Sequence, residues 1–293
     1  MGRDLATQAE LVKLARALGT TPEGVAFAAS LPPGDIRRIR ERVVGALYDE
    51  HRAAFRRIAS ITSVLPTMVN VRIALRAFSP LLAARVAGEM APDRAAEFAN
   101  RMPVEYLAES CLHLDPRRAA PLISRIHPDR ALAVVMELVA RGEFITLGRL
   151  LDVATEQLLV HVAATVPDEA LLRIGVYAES DAQLTRAVAV LPPQRLRAIV
   201  HRALAGPTDL RSAGLTLMGR LKDHHLRARL GEYAAESDDE TLTELLHTAM
   251  ANGAVGELLT TVSAMGEQAQ RRVLALPALA DDDTLKHLIQ TAL

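Results

Sequence analysis

Four consecutive twelve-residue stretches carry the reading of this chain: APDRAAEFANRM (91–102), PVEYLAESCLHL (103–114), DPRRAAPLISRI (115–126) and HPDRALAVVMEL (127–138). In each, the fifth, sixth, ninth and twelfth positions are apolar: Ala95, Ala96, Ala99 and Met102; Leu107, Ala108, Cys111 and Leu114; Ala119, Ala120, Ile123 and Ile126; Ala131, Leu132, Val135 and Leu138. Spacings of one, three and three residues place them on one side of a helix. Pro at the first or second position presets φ where a helix N-terminus has no N–H to lose, and it stops the preceding helix. Each unit therefore reads as a helix of about 8 residues, roughly 12 Å long, followed by a tight reversal. Helices that short do not stand alone, because nucleation is costly, so they must stack on neighbours. The expected fold is all-α, a right-handed superhelical α-solenoid.

Towards the C-terminus the punctuation continues in looser register, at Val166-Pro167-Asp168-Glu169, Leu191-Pro192-Pro193-Gln194-Arg195, Gly206-Pro207-Thr208-Asp209, Ser237-Asp238-Asp239-Glu240 and Asp281-Asp282-Asp283-Thr284. Arg141-Gly142-Glu143 interrupts the twelves, which predicts a bend near 141–148. Towards the N-terminus, Asp4 caps a helix ending at Gly19, Thr21-Pro22-Glu23 starts a second, and Leu31-Pro32-Pro33-Gly34 breaks it. From Asp35 to Leu65 there is no Pro, and Ile36, Ile39, Val43, Leu47, Ala54, Ile58, Ile61 and Leu65 fall at helical spacing. That predicts one long amphipathic helix of about 45 Å, serving as a spine or pairing with a second copy. The expected organisation is an N-terminal helical cap (1–34), the long helix (35–65) and the solenoid (66–293).

Composition agrees with that architecture. The chain has 293 residues, 50% of them apolar and only 3% aromatic, with no Trp, so small aliphatics must fill the core. The 50 Ala favour helix, since Ala loses no side-chain entropy there. No run approaches the roughly 20 apolar residues of a spanning helix. No charged-then-apolar leader is visible and Cys111 is the lone cysteine, so a cytoplasmic protein without disulfides is expected. The net charge of −1 hides polarity: residues 1–130 hold 19 basic and 14 acidic side chains, residues 232–293 hold 3 and 11. Only Lys13, Lys222 and Lys286 among the cations are Lys, and this Arg bias with abundant Ala suits a GC-rich bacterial genome.

The segments Leu191-Pro192-Pro193-Gln194-Arg195 and Asp115-Pro116-Arg117-Arg118-Ala119-Ala120, each followed by paired aliphatics, resemble the amino-terminal cytosolic superhelix of MgtE-type magnesium transporters. More loosely, they are similar to the helical repeats of the flagellar switch protein FliG. The resemblance covers about residues 80–205 and is one of repeat grammar. It implies the superhelical fold; magnesium transport is not carried over, since the chain lacks the regulatory module and the pore that follow that superhelix in the transporters.

The chemistry-bearing residues read mostly as structure. A Gly-rich phosphate loop, a Gly-x-Ser-x-Gly elbow, His-Glu-x-x-His and paired Cys motifs are all absent, so no cofactor, metal or catalytic residue is assigned. Cys111 holds a core-facing repeat position, where an inert thiol is expected. Glu244 and His247 share a helix face, but a di-iron bundle needs two such pairs and two further Glu. His224-His225 diverge by about 100° on a helix, which is poor for chelation. Asp238-Asp239-Glu240 and Asp281-Asp282-Asp283 suit helix N-termini better than a cation. The Arg-rich stretch 37–57 has acids interleaved, which does not favour nucleic acid.

Arg94, Arg118 and Arg130 recur at the fourth repeat position, where the helix dipole does not favour a cation. They are the candidate partner-binding residues. A non-catalytic adaptor, holding a protein partner on a helical-repeat surface, needs no reactive side chain and is the leading expectation. The alternatives are a carrier or sensor of an apolar small molecule in a helical cavity, and an enzyme with a site assembled from distant residues. A homodimer is also expected, drawn together by the basic front and the acidic tail.

Overall fold

The computed structural model describes residues 5–62 and 66–280, which form nineteen α-helices and two short 3-10 helices, with no strand among the described residues. None of these helices is long and apolar enough to cross a membrane. The described residues fall into two compact units, divided between Val12 and Lys13 and again between Val166 and Pro167.

The first unit takes the second half of α1 (Leu5–Ala17) and a 3-10 helix (Pro22–Ala28), then α2 (Pro33–Asp49), α3 (Arg52–Thr62), α4 (Thr67–Ala77), α5 (Pro80–Ala87), α6 (Pro92–Ala99) and α7 (Val104–Cys111). It continues with α8 (Pro116–Ile123), α9 (Pro128–Ala140), α10 (Phe144–Leu151) and α11 (Glu156–Thr165). Most of these helices pack on the next but one: α3 on α5, α5 on α7, α7 on α9, α9 on α11, and beside them α4 on α6 and α6 on α8. This alternation of two rows is the solenoid-like packing that short helices need.

The second unit holds α12 (Asp168–Val176), α13 (Asp181–Ala189), α14 (Pro193–Ala205), α15 (Thr208–Arg220), α16 (His224–Ala235), α17 (Asp239–Asn252), α18 (Val255–Ala264), α19 (Glu267–Leu274) and a 3-10 helix (Pro277–Ala280). Here α12, α14, α16 and α18 stack in one row and α15 packs on α17 in the other. Leu204, Leu215, Ala234, Leu245 and Ala249 form one buried cluster, and Leu172, Ile199, Ala203 and Leu210 another.

The twelve-residue period holds, and it starts one unit earlier than the sequence suggests. Helices α5 to α9 begin at 80, 92, 104, 116 and 128. The extra unit, Ser79 to Met90, has Leu82 where later units carry Arg or Tyr, which hid it. Ser79 caps its helix by accepting a hydrogen bond from the Leu82 N–H, and Asp115 does the same for α8 through Arg117.

The buried stripe also differs from expectation. The eighth position is buried in all five units, as Val86, Phe98, Ser110, Leu122 and Val134. The ninth is buried only as Ala99 and half-buried as Cys111, Ile123 and Val135. The sixth is buried as Ala84, Ala96 and Ala108, the fifth as Ala95 and Ala119 and the twelfth as Met102 and Leu138, so the ninth lies at the edge of the expected stripe and the eighth position joins it. Ser110 fits there because its hydroxyl donates to the Tyr106 carbonyl at 2.8 Å.

The single long helix expected over 35–65 is corrected to two, α2 and α3, which part at Glu50-His51; residues 63–65 lie outside the described residues. No local breaker causes the break. Tyr48 is pulled in by tertiary partners, with its hydroxyl on the Arg85 carbonyl and Glu89, while α3 packs on α5. The interruption at 141–143 is a tight reversal with Gly142 at φ 71°, after which α10 packs back on α9. Of the expected caps, Asp4 and the Asp281-Asp282-Asp283 start lie outside the described residues.

Candidate functional site

The three arginines of the fourth repeat position meet three different fates. Arg94 is consumed internally: Nη1 donates to Glu97 at 2.7 Å and to the Thr67 hydroxyl, Nη2 reaches the Thr62 carbonyl, and the guanidinium lies over Phe98. Arg118 pairs with Asp49 at 3.2 Å and Glu89 at 3.5 Å, and its guanidinium carbon sits 3.9 Å from the centre of the Tyr48 ring. Arg130 is half-buried, and its Nε has no hydrogen-bond partner among the described residues.

Glu89, in the turn after α5, organises the densest polar cluster. Its side chain is only 4% exposed and receives Tyr48 Oη at 2.9 Å, Arg52 Nε at 2.9 Å and Arg56 Nε at 3.4 Å, besides Arg118. Burial works to raise its pKa, but hydrogen bonds from Tyr48 and Arg52 and the nearby guanidinium charge outweigh it and hold the carboxyl below its ordinary range. Tyr48 lies between the Arg85 and Arg118 guanidiniums and against Phe55. Burial, with the Glu89 hydrogen bond and charge, pushes its phenol up to about 12. Gly88 gives it room, since a Cβ there would come 3.0 Å from Tyr48 Oη. These contacts tie α2, α3, α5 and α8 together around one carboxylate.

Arginine has a second structural use. The short helices need donors for their last carbonyls. Arg220 gives Nη2 to the Ala178 carbonyl at 2.9 Å and Nη1 to those of Gly175 and Val176, beyond and within the end of α12, while Nε pairs with Asp181. Arg211 serves the Gly206 carbonyl after α14 at 2.8 Å, and Arg227 the Leu221 carbonyl after α15 at 2.6 Å. These roles were invisible in the sequence, where donor and helix end lie up to 45 residues apart.

The remaining candidates sit as follows. Burial pushes the Cys111 thiol up to about 12, so it is protonated and a poor nucleophile at neutral pH. Glu244 pairs with Arg211 at 2.7 Å. Asp238 accepts from the Thr241 N–H at 2.7 Å, and this bond holds its carboxyl below the ordinary range at the start of α17. Asp223 caps α16 in the same way, directly before His224-His225. Among the described residues no group of three or more His, Cys, Asp or Glu is placed to hold a metal ion.

One constellation was missed by the sequence reading. His201 lies 3.3 Å from Glu236 Oε2 through Nε2 and 3.4 Å from Ser237 Oγ through Nδ1. Both distances are longer than a working proton-transfer contact, and Arg197 holds the same carboxylate oxygen at 2.5 Å. It is an ion-paired tie between α14 and the end of α16.

What stands open is the outer face of α4. Thr67, Asn70, Val71 and Ala74 are buried, Val71 and Ala74 against Phe98 and Met102 of the neighbouring unit. On the other side Met68, Val69 and Ile73 are 54%, 45% and 44% exposed, with Arg72 and Arg76 among them. Single exposed apolar residues are ordinary; several on one face of one helix are not. Comparison with protein-family models, curated proteins and solved structures finds no match for the chain.

Proposed function

We propose that this protein is a non-catalytic adaptor of the cytoplasm that holds a protein partner on its helical-repeat surface. The observation that carries this reading is the α4 face: it begins a row of stacked helices, yet its outward side bears Met68, Val69 and Ile73 in place of the polar residues that normally finish such a row. The polar clusters support the same reading, since their charges are spent on bracing helices. The repeat grammar shared with the MgtE-type superhelix fits a scaffold of this kind. Of the candidate arginines, Arg94 and Arg118 are taken up by internal ion pairs, whereas Arg130 has none among the described residues, so it remains in the proposed contact surface.

Native mass spectrometry of the protein purified from its source tests the proposal. A stoichiometric protein partner that is lost on Ile73→Asp supports it. A small-molecule adduct would replace it with the carrier reading, and a partner retained by Ile73→Asp would move the surface elsewhere.

A further inference from the structure

Resting on the adaptor reading, we propose that the outer face of α4 seats an acidic amphipathic helix of another protein. The shape comes from the row. On one side α6 receives α4 and on the other α8, so each interior helix is sandwiched between helices. α4 has its successor, and the opposite side of the helix, where Met68, Val69, Arg72, Ile73 and Arg76 fall at i, i+1, i+4, i+5 and i+8, is exposed. A helix laid there continues the stack by the packing the fold already uses.

Charge selects the occupant. From His51 to Gly88 the chain holds six Arg and not one Asp, Glu or Lys. Within that span the side chains of Arg57, Arg72 and Arg76 make no ion pair among the described residues, in contrast to Arg52 and Arg56, which pair with Glu89. A partner that buries Met68 and Ile73 must bring carboxylates to Arg72 and Arg76, or leave cations desolvated.

A second copy of the chain does not meet that need. Two-fold pairing through α4 would set Arg72 and Arg76 against their own equivalents. In the acidic C-terminal part, Glu236, Asp239, Glu244 and Glu267 are already engaged by Arg197, Arg272, Arg211 and Arg271, so those four carboxylates are not available to α4 of a second copy. A lipid surface is also a poorer match. α4 carries Arg72 and Arg76 but no Trp or Phe to anchor it in an interface, and the vesicle arm of the test separates the two occupants.

The test uses the full chain, two synthetic helical peptides and vesicles. Both peptides carry Leu at i, i+3, i+4 and i+7; one has Glu on the flanking positions and the other Lys. Fluorescence anisotropy is expected to show the Glu peptide binding at least tenfold tighter, with affinity falling as salt rises. Arg72→Glu with Arg76→Glu should invert the preference, and Ile73→Ser should weaken the Glu peptide about tenfold with an unchanged circular dichroism melt. Arg72→Gln with Arg76→Gln gives a milder second variant, expected to abolish the preference. Equal binding of both peptides, no binding of either, or a preference that survives the Gln pair overturns the proposal. So does co-sedimentation with phosphatidylglycerol vesicles that Ile73→Ser abolishes while neither peptide binds, which would assign the face to a membrane. A protein partner found by native mass spectrometry with no acidic-peptide binding leaves the adaptor reading standing and removes this one.

Discussion

The guanidinium carbon of Arg118 lies 3.9 Å from the centre of the Tyr48 ring, so a residue at the start of α8 clamps one at the end of α2. Cation–π attraction and the ion pairs to Asp49 and Glu89 act together there. Arg118→Glu is expected to lower the melting temperature by several degrees, because it removes those contacts and sets a carboxylate beside Glu89. Arg130→Glu, at the equivalent repeat position but with no ion pair to lose among the described residues, should lower it less than Arg118→Glu does. Differential scanning calorimetry of the pair checks both.

Glu89→Gln should destabilise the first unit by about 1–3 kcal/mol in urea, since several donors lose an ionised acceptor in a buried place. The sign of the pH effect follows from its lowered pKa. The contribution is complete above the ordinary Glu value of 4.5 and is lost as pH falls through the lower native value. The gap between Glu89→Gln and wild type should therefore shrink below pH 4.5. A gap constant down to the acid limit would contradict it.

Tyr48 supplies the alkaline counterpart. Its phenol ionises near 12 in the folded protein against an ordinary 10, so folding favours the neutral form; that stability is intact below pH 10 and is lost as pH rises towards 12. Ultraviolet titration of the phenolate band should show a late step that disappears in Tyr48→Phe.

The rotated stripe gives a register test. Leu122→Asp, at the buried eighth position of its unit, should abolish soluble expression or cost several kcal/mol, as an unpaired buried carboxylate does. Arg117→Gln on the same helix, exposed and ion-paired with Glu41 of α2, should cost about 1 kcal/mol or less. Comparable damage from both would mean that the stripe is misplaced.

Arg220→Met should cost about 2 kcal/mol and speed hydrogen exchange at the end of α12, where the Gly175, Val176 and Ala178 carbonyls lose their donor. Amide exchange read by mass spectrometry localises the effect. Unchanged protection over 168–178 would show that the cap is dispensable.

Helix starts were legible from the chain because they are local. A Pro at 92, 116 and 128 sets φ within its own residue and ends the helix before it, so the twelve-residue period follows from backbone sterics. The unit at Pro80 obeys the same rules, with its Ser79 cap, and with Ala83, Ala84, Ala87 and Met90 at the apolar positions. The open face of α4 was half-legible: Met68, Val69, Ile73, Arg72 and Arg76 share a helix side, but periodicity does not say which side a neighbour covers.

By itself, then, the sequence determined an all-helical chain of short stacked units, and it did so through proline geometry, alanine propensity and apolar spacing, all of which act within a dozen residues. Tertiary structure alone decided that the helix expected over 35–65 parts at Glu50-His51, that the eighth position faces inward, and that Arg94 and Arg118 are spent on bracing while Arg72 and Arg76 are left facing out. The physical reason is range. A guanidinium takes its meaning from the carboxylate, carbonyl or ring it reaches, and for Arg118 and Arg220 those lie tens of residues away along the chain, where no spacing rule connects them.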